Sequence, residues 1–212
     1  MIITLFKADC RQRLADAFGD AVVSVRGGSV NWNPDPNQSP RENGAVVGWI
    51  ANTTSVTSIL VDSACYDVFT VVEDQLQVPS IHVLFQEKSF WEFQLWHEGH
   101  DRVRFSVCPE QWGEVDPASQ VGTPQDLADI WSVPVERIDK YMVNWQLEER
   151  WIEGHRTTTP YYHMRGKKAY PDDECEYGDM YQGFDFIRSL GGIIPGEGGK
   201  FLAYLPPIRR QK

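Results

Sequence analysis

Three short runs between residues 81 and 107 alternate apolar with polar side chains: Ile81, Val83 and Phe85, then Trp91, Phe93 and Leu95, then Val103, Phe105 and Val107. Successive side chains of an extended strand point to opposite faces, so a period of two marks a strand with one face for a core and one for water. Glu98-Gly99 is a suitable tight-turn pair between the second and third runs, and Lys88-Ser89 between the first and second. The stretch therefore reads as a three-stranded antiparallel meander. Its polar face carries Gln86, Glu92, Gln94 and Trp96, and its apolar face has to be covered by another part of the chain.

The rest of the chain supplies further elements. Ile2–Phe6 is a short β-branched run that predicts a strand. A helix is predicted from Asp9, its cap, to Phe18, with Leu14 and Phe18 one turn apart and Gly19 at the C-terminal cap. Strands are predicted at Ala21–Val25, Ala45–Ala51 and Val56–Leu60, with a long polar and mobile loop at 27–44. Cys65, Val68, Phe69 and Val72 recur at helical spacing, predicting a helix from about Asp62 to Gln77, before Pro79. The order helix, strand, loop, strands thus occurs in 9–60 and again in 62–107, which suggests a duplication. Residues 151–178 read as irregular. A last helix is predicted from Asp179 to Leu190, burying Tyr181, Phe184, Ile187 and Leu190. Gly191-Gly192 ends it, and an edge strand is predicted at Phe201–Leu205.

Residues 123–145 resemble a helix-turn-helix, with Leu127, Ala128 and Trp131 on a first helix, Val133 in the turn, and Ile138 and Tyr141 on a second helix reaching about Gln146. Thr123-Pro124 is a cap followed by proline at the first helical position, and Ser132 and Pro134 repeat the arrangement. The positions that would face a major groove are Pro134, Val135, Glu136, Asp139 and Lys140. Residues 124–150 hold six acids (Asp126, Asp129, Glu136, Asp139, Glu148, Glu149) against three bases (Arg137, Lys140, Arg150). DNA readers gain affinity by neutralising phosphates, so a packed helix pair is the better reading.

Together these elements predict an α+β protein: a mostly antiparallel sheet with helices packed on one face and a helical C-terminal portion. The 212 residues are read as one compact domain, divisible into a sheet-rich lobe, 1–108, and a helical and irregular lobe, 109–212. A chain of this length buries roughly 70% of its unfolded surface and needs no staples.

The formal charge of −10 argues against nucleic acid and anionic membrane as partners and permits a basic protein. Cys10, Cys65, Cys108 and Cys175 show no metal-ligand spacing. With no signal peptide and no membrane-spanning run expected, the reading is a cytoplasmic protein with free thiols.

His97-Glu98-Gly99-His100-Asp101 is the densest set of potential metal ligands, and imidazole with carboxylate suits zinc. The set falls on a hairpin turn, where side chains splay, so His97 and His100 are the only metal candidates. His82, His155 and His163 have no spacing that joins them to it. Residues 172–179, Asp172-Asp173-Glu174-Cys175-Glu176-Tyr177-Gly178-Asp179, form an acidic run without the ligand pattern of a helix-loop-helix calcium site. Cys108 has no histidine brought to it as a base. The glycines at 191–199 lack the Lys-Ser/Thr of a phosphate loop, and no cofactor is expected.

Aromatic anchors and acidic loops are what a docking surface uses. The leading reading is a non-catalytic module that binds a basic protein, on the pattern of an immunity protein or antitoxin. Its surface would comprise Trp96, Trp112, Trp151, Tyr161 and Tyr162 with Asp172, Asp173, Glu174 and Glu176. Trp131 and Trp145 belong to the same aromatic group. The alternatives are a metal-assisted hydrolase using His97, His100 and the acids of the 172–179 loop, and a helix-turn-helix DNA-binding regulator.

Overall fold

The computed structural model describes residues 1–10, 22–26, 46–61, 76–86, 90–109, 120–145, 147–152, 155–160, 166–197 and 200–204. It is α+β, with antiparallel strand pairs and two helices described in full. The helix predicted at Asp9–Phe18, the loop 27–44, the turn Lys88-Ser89 and most of the helix predicted at Asp62–Gln77 lie outside the described residues. The chain folds as two units, Met1–Val78 with Gly191–Lys212, and Pro79–Leu190.

In the first unit β1 (Ile2–Phe6), β2 (Val22–Arg26), β3 (Val46–Asn52), β4 (Thr57–Val61) and the last strand of the chain, β10 (Lys200–Tyr204), form antiparallel neighbours in the order β2-β10-β3-β4-β1. All five residues of β1 are buried, which suits its near-continuous apolar sequence. The Cys10 N–H donates to Thr57 Oγ1 at 2.9 Å and the Thr57 hydroxyl donates to the Ala8 carbonyl at 2.7 Å, tying the chain after β1 to β4.

β10 was expected at an edge; it lies instead between β2 and β3, with Leu202 opposite both Val25 and Gly48. The reason is where the chain re-enters the unit. The Ile193 N–H donates to Ser58 Oγ at 2.9 Å, and the Thr53 hydroxyl donates to the Gly191 carbonyl at 3.4 Å. Nothing local in 200–204 encodes these contacts.

The second unit contains the meander. β5 (Ser80–Phe85), β6 (Trp91–His97) and β7 (His100–Ser106) pair in sequence order, with Val83 opposite Phe93 and Phe93 opposite Phe105. Ile81, Val83, Phe85, Trp91, Phe93, Leu95, Val103, Phe105 and Val107 are all buried. Glu98 and Gly99 make the turn, both at positive φ (55° and 74°), as a two-residue hairpin of the right twist requires.

Thr123 and Asp126 form a reciprocal capping box at the start of α1 (Pro124–Trp131), and Leu127, Ala128 and Trp131 are buried. The expected second helix is absent. Ser132 is the left-handed C-cap of α1, and two successive single turns of 3₁₀ helix follow, at Val135–Arg137 and Asp139–Tyr141. Ile138, at φ −131°, separates the turns. The Lys140 N–H donates to the Tyr170 hydroxyl at 3.2 Å rather than to a carbonyl one turn back. Ile138 and Tyr141 are buried as the packing reading required, but a tertiary contact has replaced the helical ladder.

Part of the stretch read as irregular is a hairpin. β8 (Leu147–Ile152) pairs with β9 (His155–Pro160), Glu149 opposite Thr158. The Thr157-Thr158-Thr159 run, β-branched throughout, was the available signal.

The final helix of the unit, α2 (Gln182–Ser189), closes the meander. Phe186 packs its ring at 4.7 Å from Phe93 and 5.1 Å from Trp91, and Phe184 lies 4.8 Å from Phe85. The buried stripe is Gly183, Phe186, Ile187 and Leu190. Of the four residues predicted to be buried, Ile187 and Leu190 are, Phe184 is half-buried and Tyr181 is 47% exposed. Gly183 sets this rotation: a methyl group there would sit 2.7 Å from Phe85 Cε1 and 3.2 Å from Trp91 Cγ.

Two substitutions test this arrangement. Phe186→Ala should lower the free energy of unfolding by about 3–5 kcal/mol, because it leaves a cavity among rings. Gly183→Ala should cost about 1–3 kcal/mol by overpacking. Chemical denaturation followed by tryptophan fluorescence measures both; a loss below about 1 kcal/mol for Phe186→Ala would refute the aromatic seat.

Candidate functional site

The 3₁₀ turns at 135–141 and the segment 166–189 enclose a cleft of about 360 Å³ in the second unit, lined among others by Arg137, Tyr141, Tyr170, Asp172, Asp173 and Arg188. Both walls derive from the aromatic core. The Tyr141 ring meets Phe186 edge-on at 5.7 Å and lies 5.1 Å from Tyr170. Its hydroxyl, pointing away from Phe186's side of the core, donates to Asp173 Oδ1 at 2.5 Å.

Asp173 Oδ2 accepts the Tyr170 N–H at 2.9 Å, so one carboxylate pins the acidic loop to the turn opposite. The Tyr170 hydroxyl donates to Asp139 Oδ1 at 2.6 Å, and the Lys140 ammonium stands 4.9 Å from the centre of the Tyr170 ring. The Tyr177 hydroxyl donates to the Lys140 carbonyl at 2.8 Å.

A second buried carboxylate holds the other end of the loop. Asp185 accepts the Cys175 N–H at 2.8 Å and an Arg188 N–H at 2.6 Å, and Arg188 also reaches Glu174 at 3.0 Å. Asp179 accepts the Tyr181 N–H at 2.9 Å just ahead of α2. This is the end-capping expected of Asp179, made two residues outside the helix.

Burial shapes the acid–base behaviour of these groups. Loss of hydration raises the Asp173 carboxyl above the ordinary 3.8, outweighing the opposing hydrogen bonds from Tyr141 and the Tyr170 N–H. Burial, then the bond to Asp173, holds the Tyr141 phenol well above its ordinary range, and Tyr170 is raised by burial and by Asp139. Burial and the nearby Asp185 push the Cys175 thiol up to about 12, so it is a poor thiolate. On the outer face of the meander Glu92 is also raised, again by burial.

The residues singled out from sequence fall in different places. Asp172, Glu174 and Glu176 are exposed on one loop, whereas Asp173 is only 8% exposed and committed inward. His97 and His100 face each other at the end of the β6–β7 hairpin, Trp96 is half-buried opposite Asp101, and Arg102 pairs with Glu98 at 2.5 Å. Among the described residues no group of three His, Cys, Asp or Glu side chains is placed to hold a metal ion. Trp151 lies in β8 opposite Arg156, while Trp112, Tyr161 and Tyr162 lie outside the described residues. Trp131 and Trp145 are buried, and the Trp131 indole donates to the Leu190 carbonyl at 2.9 Å. Cys10 and Cys108 are buried free thiols and Cys175 is a half-buried one. Among the described residues no helix is long and apolar enough to cross a membrane.

Sequence reading missed Tyr141, Tyr170, Asp185, Arg137 and Arg188 as parts of one site. Tyr141 looks like an ordinary apolar position of a helix, and the partners are about 30 residues apart (Tyr141 to Asp173). Only an unusual acid in an otherwise buried helix stripe, Asp185, hinted at the arrangement.

Tyr141→Phe removes the donor to a buried carboxylate and should cost about 1–3 kcal/mol of stability. The raised Asp173 has a definite pH signature. Above pH 3.8 and up to its raised folded value, the folded protein binds a proton that the unfolded chain releases. This group's contribution to stability therefore grows as pH falls through that window and is lost as pH rises. The stability of the protein relative to Asp173→Asn, measured by denaturation at a series of pH values, should rise on acidification from neutrality; a difference independent of pH would refute the assignment.

No protein-family model matches the sequence, and neither the curated proteins nor the solved structures compared with it give a match.

Proposed function

We propose that this chain is a non-catalytic module that binds a basic protein partner through the acidic and aromatic surface of residues 170–181. The supporting observation is the way that loop is held. Asp173 and Asp185 fasten it from inside, leaving Asp172, Glu174 and Glu176 exposed beside the 47% exposed Tyr181. Ordered charges lose little entropy on docking, and like-signed charges on one surface speed association with an oppositely charged one. The acidic total of −10 adds a long-range pull on such a partner. An immunity- or antitoxin-like role, neutralising a basic toxin, is one concrete form of this reading.

Two features weigh against the rival readings. A major-groove reader inserts a continuous second helix, whereas residues 135–141 form 3₁₀ turns with Asp139 and Lys140 already engaged by Tyr170. A hydrolase needs an activated group, and the two buried carboxylates are occupied by hydroxyl, amide and guanidinium partners.

The test is affinity capture from the native lysate with the wild-type chain and with a triple charge reversal, Asp172→Lys, Glu174→Lys and Glu176→Lys. The expected result is a stoichiometric basic protein retained by the wild type, released by high salt and not retained by the variant. Equal retention by both chains, or binding indifferent to salt, would overturn the proposal.

A further inference from the structure

The cleft between the 3₁₀ turns and the acidic loop contains two charges that the fold does not use. The hydroxyls of Tyr141 and Tyr170 donate to Asp173 and Asp139, and the Ser189 hydroxyl donates to the Phe186 carbonyl. Asp173 and Asp185 accept from backbone N–H groups as well, and Arg188 spans Asp185 and Glu174. Arg137 and Asp172 alone among the charged and polar side chains of the lining make no hydrogen bond or ion pair with a described residue.

They are of opposite sign, both exposed, and more than an ion-pair length apart. Each stands on a short, fastened turn. Arg137 ends the first 3₁₀ turn, beside fully buried Ile138, and Asp172 sits between Tyr170 and Asp173, which are bonded to each other. The space between them, about 360 Å³, falls within the range of roughly 300–1,000 Å³ of small-molecule pockets.

We infer that this cleft binds a small zwitterion of the α-amino-acid class, its carboxylate on the Arg137 guanidinium and its ammonium on the Asp172 carboxylate. A guanidinium offers a planar fork that matches a carboxylate with two parallel hydrogen bonds. A carboxylate with no other donor accepts the ammonium protons. The aromatic walls from Tyr141 and Tyr170 exclude water from one side, which strengthens both pairs. A ligand carrying one charge alone would leave the other uncommitted group unmatched, so both charges are required. The inference stands on the lining of the cleft and does not depend on a protein partner.

The experiment is calorimetric titration of the purified chain with each of the twenty free L-amino acids, followed by the N-acetyl and the amide derivatives of whichever binds. At least one amino acid should saturate the protein at about 10 mM or below, and each singly charged derivative should bind about tenfold more weakly. Arg137→Gln and Asp172→Asn should each weaken the amino acid by about tenfold or more. Both side chains are exposed, so the unfolding transition of each variant should match that of the wild type. If no amino acid saturates by about 100 mM, or the derivatives bind as well, or both folded variants retain full affinity, the inference is overturned.

Discussion

An antiparallel meander with one apolar face is unstable in water until that face is covered, and here the cover is a short helix carrying one phenylalanine. Phe186 is fully buried and touches the rings of Trp91, Phe93 and Tyr141. At eight residues α2 is too short to be stable in isolation. Its existence depends on the aromatic area it buries, and the meander depends on it in turn. Gly183 is the local condition for that contact, since any side chain at that position would meet Phe85 and Trp91.

The site is an extension of the same core. Tyr141 presents its ring to Phe186 and its hydroxyl to Asp173, so the polar network begins where the apolar one ends. From Asp173 the order passes along the backbone to Tyr170 and by Tyr170 to Asp139. A single phenol thus couples the stability of the core to the position of an acidic loop some thirty residues away (141 to 173). Buried carboxylates are costly unless each receives hydrogen bonds, and both Asp173 and Asp185 are supplied by backbone N–H and side-chain donors together. That pattern serves to hold a surface still, which is what a binding loop needs and what an acid–base catalyst avoids.

Much of the strand content was legible because it depends on nearest neighbours. The meander, its register around Glu98-Gly99 and the capping box at Thr123 follow from period two, turn chemistry and side-chain capping within a few residues. The departures come where distant contacts outbid local preference. Residues 135–141 have a helical apolar pattern, yet Tyr170 takes the Lys140 N–H and the ladder breaks at Ile138. Tyr181 fits the predicted stripe, yet the close approach allowed by Gly183 turns the helix so that Phe186 takes the core.

The sequence by itself determined the class of the fold, the meander, the strongly acidic surface and the positions of most core residues, because periodicity and charge are local properties that every neighbour reads alike. Tertiary structure decided where β10 inserts, which face α2 buries, and which acids remain outside. Asp172 and Asp173 are adjacent and chemically the same, but one lies at the mouth of a cleft and the other beneath Tyr141. That difference arises from a turn and a phenol brought together by packing, and no property of the two residues in sequence distinguishes them.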